Sequence, residues 1–152
     1  MAYGRFIPRF PEKYVGDAEN IMWRSSWEHR VMIWLDSRSA VEKWGSEEIK
    51  IAYIKPTDGQ VHTYIPDFFA KIKDKDGVVK HWVIEIKPRH EAEEKYAKHE
   101  RAKEALIVNN AKWKAAQIFC EQNGMEFLVL TEKSIFFQGV KRGKLPVHVQ
   151  ES

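Results

Sequence analysis

A chain of 152 residues, 43% of them hydrophobic, is long enough to enclose one ordinary core and too short to divide comfortably into two. Six Trp, five Tyr and eight Phe residues exclude a wholly disordered protein despite a charged fraction of 31%, and a net charge of +3 is too small to single out nucleic acid or any other partner. Cys120 is the only cysteine, which excludes an internal disulfide and a thiolate zinc cluster; no run approaches the roughly 20 apolar residues of a membrane span, and MAYGRFIPRF has no apolar middle segment, so the chain reads as soluble and not secreted.

Residues 1–20 carry Pro8 and Pro11 and little periodicity, and read as an extended N-terminal arm. Arg5, Arg9 and Lys13 in that arm, like Lys141, Arg142 and Lys144 in a flexible tail over 141–152, are open to two readings, phosphate contact or simple solvation. A helix is predicted from Ser25 to about Arg38, since Trp27, Val31, Trp34 and Leu35 recur at helical spacing. Trp44-Gly45-Ser46 reads as a turn, and Glu48 to Ile54 alternates polar with apolar as a half-buried strand does. Pro56-Thr57-Asp58-Gly59 turns the chain into a strand from Val61 to Lys73, and Lys75-Asp76-Gly77 turns it again into Val79 to Lys87. Those three strands form an antiparallel meander. After Pro88, Glu91 to Ala105 is predicted as a helix exposed on most sides, and Trp113, Ala116 and Cys120 mark a second, amphipathic one ending at Gly124. Phe127 to Leu130 fits a buried strand, and Thr131 caps a last short helix through Phe137. The order predicts an α/β fold, a mixed β-sheet flanked by helices, in a single domain over 21–140.

The chemistry concentrates on two strands. From His81 to Lys87, Trp82, Ile84 and Ile86 share one face and Val83, Glu85 and Lys87 the other, which sets a carboxylate and an ammonium about 7 Å apart. On the preceding strand, Asp67 is the charged group between the apolar Ile65 and Phe69. A half-buried, unpaired carboxylate there costs on the order of several kcal/mol, so it needs a partner: either a salt bridge to Lys87 across the hairpin or a bound cation. If the strands pair, Asp67 arrives beside Glu85, and two carboxylates at close range repel unless a divalent ion stands between them. Oxygen ligands with no His or Cys nearby favour Mg²⁺, with Mn²⁺ able to substitute, over zinc. Such an ion supplies an activated water against a phosphodiester, with Lys87 placed to orient or deprotonate that water or to stabilise the charge developing on the phosphorus.

Pro66-Asp67 followed by Glu85-Ile86-Lys87 resembles the PD-(D/E)xK nuclease superfamily. The blocks Trp23-Arg24-Ser25-Ser26-Trp27-Glu28, Trp34-Leu35-Asp36, Trp44-Gly45-Ser46-Glu47, Tyr64-Ile65-Pro66-Asp67 and Lys112-Trp113-Lys114-Ala115-Ala116-Gln117, in that order, look like the head completion nucleases of contractile-tailed phages, relatives of the transposon endonuclease subunit TnsA. The likeness runs from about Tyr14 to Thr131, with no alignment over Arg89 to Asn110. It implies a restriction-endonuclease-like core, a Mg²⁺-dependent deoxyribonuclease with Asp67 and Glu85 as metal ligands and Lys87 as catalytic lysine. It also implies DNA as substrate, phage portal or head-neck proteins as partners, and action in the host cytoplasm or on the virion when heads are completed for tail joining. The alternatives on the same core are a non-catalytic virion protein that grips DNA or the portal, and a TnsA-like or junction-resolving endonuclease.

Glu28 is open to two roles that do not exclude each other. The resemblance places a glutamate on the first helix near the metal, while Ser25-Ser26-Trp27-Glu28 is also a capping box. Gln117 and Lys114 are candidates for phosphate contact or ordinary surface residues, and Glu47 is a weaker candidate. His29, His62, His81 and His90 have no zinc-site spacing, and the tryptophans read mostly as core.

Overall fold

The computed structural model describes residues 3–88, 91 and 98–132. In chain order the elements are β1 (Gly4–Phe6), a 3₁₀ turn (Pro11–Lys13), β2 (Ile21–Trp23), α1 (Ser26–Ser37), β3 (Val41–Ser46), β4 (Ile51–Ile54), β5 (Val61–Tyr64), β6 (Phe68–Lys73), β7 (Val79–Ile86), α2 (Glu100–Gln122) and β8 (Met125–Leu130). The main sheet has the order β3-β6-β7-β8, antiparallel except for the parallel pair β7 and β8. A parallel neighbour requires a long crossover, and α2 lies in that connection. The mixed sheet and its helices are the α/β arrangement the order of elements predicts.

The first helix starts where expected because Ser25 is extended, at φ −153° and ψ 158°, and its hydroxyl accepts the Glu28 N–H at 3.1 Å. Val31, Trp34 and Leu35 then bury their stripe against β3, β6 and β7. Residues 3–20 are not a plain extended arm: β1 pairs antiparallel with β2, Phe6 is buried in the core, and Pro11 opens the 3₁₀ turn. Asp36 accepts the Arg9 N–H at 2.8 Å, and Lys13 Nζ donates to the carbonyls of Leu35, Asp36 and Arg38 at 3.0, 2.7 and 2.8 Å. A lysine satisfying the last carbonyls of a helix complements the negative end of its dipole.

Three expectations need correction. Trp44-Gly45-Ser46 is not a turn but the end of β3, with the Trp44 ring fully buried against Tyr14, Phe6 and Phe68 at 4.8, 5.7 and 6.3 Å. The glycine serves close packing, since a Cβ there would stand 3.0 Å from the Val15 carbonyl oxygen. The meander is not continuous either. Pro66 lacks the N–H that a central strand needs, and the run from Val61 to Lys73 divides there into β5, which pairs with β4 in a separate ribbon, and β6, which enters the main sheet. Finally, the two helices expected on either side of residue 110 are one, Glu100–Gln122. The sparse apolar residues of its first half had the look of a break, yet Leu106 and Asn109 continue the buried stripe of Ala116 and Cys120. It ends as expected at Gly124, whose φ of +66° is the left-handed conformation that closes helices. Residues 92–97 of the earlier expected helix, the remainder of the last helix toward Phe137 and the 141–152 tail lie outside the described residues.

Two apolar clusters result, one between α1 and one face of the main sheet, the other joining α2 to the β4–β5 ribbon through Ile51, Tyr53, Tyr64 and Ala116. Strand β7 passes between them. Its Trp82, Ile84 and Ile86 belong to the first, and the opposite side, which holds Val83 and Glu85, is also buried.

Candidate active site

The register of the β6–β7 hairpin sets the centre of the site. Asp74 Oδ1 accepts the N–H groups of Asp76 and Val78 at 2.9 Å, and Gly77 takes φ +81°, which fixes the turn. With Phe68 paired to Ile84, one step further along the antiparallel ladder puts Asp67 opposite Glu85. Phe68 points to Trp44 and the first core, so by strand alternation Asp67 points the other way, to the side of Val83 and Glu85.

Both acids are held firmly. Asp67 Oδ2 accepts the Ile86 N–H at 2.7 Å, and its carbonyl accepts the Glu47 N–H at 3.1 Å. Glu85 is 7% exposed. Burial, and then the neighbouring Glu85 charge, push the Asp67 carboxyl up to about 8, while the Ile86 N–H opposes the shift. Burial also raises Glu85, and the two side chains are close enough to share a proton. Behind them the Tyr64 phenol is made a weaker acid, first by burial and then by the charges of Glu85 and Asp67.

Lys87 follows directly, its N–H donating to the Leu130 carbonyl at 2.9 Å so that the β7–β8 pairing extends past the strand end. It lines a cleft of about 440 Å³ with Ser25, Ser26, Glu28, Asp67 and Pro88. Among the described residues no ion pair joins Lys87 to Asp67, so the cross-hairpin salt bridge is not formed; the lysine charge acts on both carboxyls from further away. Glu28 lines the cleft, and only half of a capping box is formed: its N–H donates to the Ser25 hydroxyl at 3.1 Å, while its carboxyl meets that hydroxyl at 3.5 Å and not the Ser25 backbone. Burial, and then the charge of Asp67, raise that carboxyl.

Asp67, Glu85, Lys87 and Glu28 are therefore gathered at one place, and Lys114 and Gln117 are not. Both of the latter are exposed on α2, and at roughly 100° per residue they point well away from Lys112. Lys112 is the lysine of that helix that faces the site. Its Nζ lies 5.7 Å from the Tyr64 ring and 5.9 Å from that of Tyr53, and desolvation followed by the Lys87 charge lowers its pKa, against the pull of Glu85. A signal for it was available, because Lys112 stands one helical turn before the buried Ala116. Glu47 is closer to the site than its sequence suggested. It forms an ion pair with Arg24 and holds φ 57°, a left-handed conformation unfavourable for a residue with a side chain.

The donor set suits a hard cation. Among the described residues no three His, Cys, Asp or Glu side chains converge tightly enough to hold a metal by themselves. His29 stacks on Trp23 at 4.6 Å, His81 on Phe69 at 6.0 Å, and His62 bonds Asp58 at 2.8 Å. What remains is two opposed carboxylates, and magnesium is commonly bound by one or two carboxylates while keeping several waters.

Residues 38–132 match the protein family described as TnsA-like endonuclease N terminal. Over 152 aligned residues, covering 93% of this chain and 99% of the other, the chain is 36% identical to the head completion nuclease of Enterobacteria phage T4. Asp67, Glu85, Lys87 and Lys112 lie inside the family match, and Glu28 lies before it.

Proposed function

This chain belongs to the family of TnsA-like endonuclease N-terminal domains, and from that premise we propose that it is a Mg²⁺-dependent deoxyribonuclease of the PD-(D/E)xK type acting in phage head completion. The observation that carries the reading is Asp67 opposite Glu85 at the end of β7, with Lys87 opening into the same cleft.

Asp67 and Glu85 would hold the metal. When bound, Mg²⁺ would offset their mutual repulsion, screen the substrate phosphate and make a coordinated water more acidic. The chain's own groups supply the rest. The Ile86 N–H fixes Asp67 in one orientation, so the pair is organised before substrate arrives. Lys87 offers an ammonium to the attacking water or to the negative charge that builds on the phosphoryl oxygens. The first turn of α1 presents the positive end of a helix dipole at Ser25 and Ser26, which favours an anionic phosphate in the cleft. Glu28 is placed across the cleft to orient water or take a proton from it. The role in head completion follows the activity named for the phage relative, and it makes DNA and head-neck components of the virion the expected partners.

Plasmid DNA incubated with the purified chain tests this. Cleavage should require Mg²⁺ or Mn²⁺, stop with EDTA, and vanish in Asp67→Ala and Glu85→Ala. Equal cleavage by wild type and both variants would assign the activity to a contaminant and overturn the reading.

A further inference from the structure

We propose a second phosphate-binding subsite, resting on the nuclease reading above: the pocket between the β4–β5 turn and the first half of α2 grips a backbone phosphate of the DNA whose other phosphate is cut at Asp67 and Glu85. The pocket holds about 380 Å³ and is lined by Lys55 and Thr57 from the turn and by Arg101, Glu104, Asn109 and Lys112 from the helix.

The charge balance is the first argument. Three cations line the pocket against the single carboxylate of Glu104, and among the described residues none of the three closes an ion pair. Other cations of the domain do close ion pairs, Lys71 and Lys73 with Glu42, Lys103 with Glu100 and Arg24 with Glu47. Asp58 acts on Lys55 and Glu85 on Lys112 without closing an ion pair, so the pocket keeps an excess of positive charge that an anion would offset.

Chemical fit is the second. Arg101 has a planar fork suited to two phosphoryl oxygens, Lys55 and Lys112 are compact point charges, and the Thr57 hydroxyl adds a donor. The site is also built on firm elements. The turn is closed by the Asp58 and Gly59 N–H groups donating to the Lys55 carbonyl at 3.3 and 2.8 Å, and Lys112 is steadied over the Tyr53 and Tyr64 rings.

Continuity is the third. Lys112 lines this pocket and stands within electrostatic range of Lys55 and also of Glu85 and Lys87, so it links the pocket to the neighbourhood of the carboxylate pair. A strand with one phosphate in the cleft therefore meets positive charge in the direction of Lys55 and Arg101. A phosphodiester backbone repeats its charge at regular intervals and matches such a line; a lone small anion would satisfy only one end of it.

The test is fluorescence anisotropy of a short labelled duplex with the full chain, without divalent metal, over a series of NaCl concentrations. Lys55→Gln with Arg101→Gln should weaken binding about tenfold and lower the slope of log K against log salt by about one, the amount expected for one phosphate contact. Lys71→Gln, away from the pocket, should change neither. A double variant that melts like wild type, yet binds with wild-type affinity and slope, would overturn the subsite. Metal-dependent cleavage by the wild type is measured in parallel. A slope effect without cleavage supports the subsite and removes the nuclease reading, whereas cleavage without a slope effect removes the subsite alone.

Discussion

Strand β7 presents two buried faces that differ in kind. One carries Trp82, Ile84 and Ile86 into a core completed by Phe68, Trp44 and α1, and it is apolar but for the buried indole N–H groups of Trp34, Trp44 and Trp82. The other carries Val83 and then Glu85 against Asp67 and Tyr64, with Lys112 and Lys87 in electrostatic reach. Burial does opposite things on the two. On the first it removes apolar surface from water and stabilises the fold; on the second it desolvates charge, which costs stability and makes the carboxyls bind protons or cations more strongly. One side of the strand holds the domain together so that the other can remain unfavourable.

That contrast can be broken one residue at a time. The largest expected effect is on the polar face: Lys87→Ala should reduce cleavage by about a thousandfold, or ~4 kcal/mol of transition-state stabilisation. Its Mn²⁺ binding, followed by calorimetry, should survive, because Asp67 and Glu85 remain. Next comes the apolar face, where Phe68→Ala should cost about 3–5 kcal/mol in a urea titration.

The sharpest test is Asp67→Asn. The Asp67 carboxyl is raised in the folded chain from 3.8 to about 8, so it binds its proton more tightly folded than unfolded. Its contribution to stability is complete below the unfolded value and is lost as pH rises through about 8. Asparagine cannot ionise and can still accept the Ile86 N–H. The metal-free variant should then be more stable than wild type above pH 8, by on the order of 2 kcal/mol, with the difference fading toward pH 4. Thermal melts in EDTA across that range measure it, and a variant no more stable than wild type above pH 8 would show that ionised Asp67 does not burden the fold. At the small end, Lys114→Ala and Gln117→Ala, both exposed, should each change stability and cleavage by less than about 0.5 kcal/mol.

How much of this could be read in advance depended on the range of the determinant. Helix α1 was legible because Ser25, Glu28 and the Trp27-to-Leu35 stripe are local. The meeting of Asp67 and Glu85 was legible because one tight hairpin, closed by Asp74 and Gly77, sets their register. Trp44-Gly45-Ser46 misled because its glycine answers to Val15, far away in the chain, and not to a bend. The break at Pro66 was in plain sight, but nothing local says that β5 leaves for a different sheet. Lys112 is hidden in the sequence because a lysine on a charged helix reads as solvent-facing until the helix is known to be unbroken and its buried stripe can be followed back from Ala116.

The anchoring of residues 3–13 has a mechanical consequence. Arg9 and Phe10 donate their N–H groups to Asp36, and Lys13 grips the carbonyls at the same helix end, while Glu28 sits at the opposite end. The helix whose first turn borders the cleft is thus fastened at its far end by the leading segment, and that wall leans on a contact made at the other end of the rod.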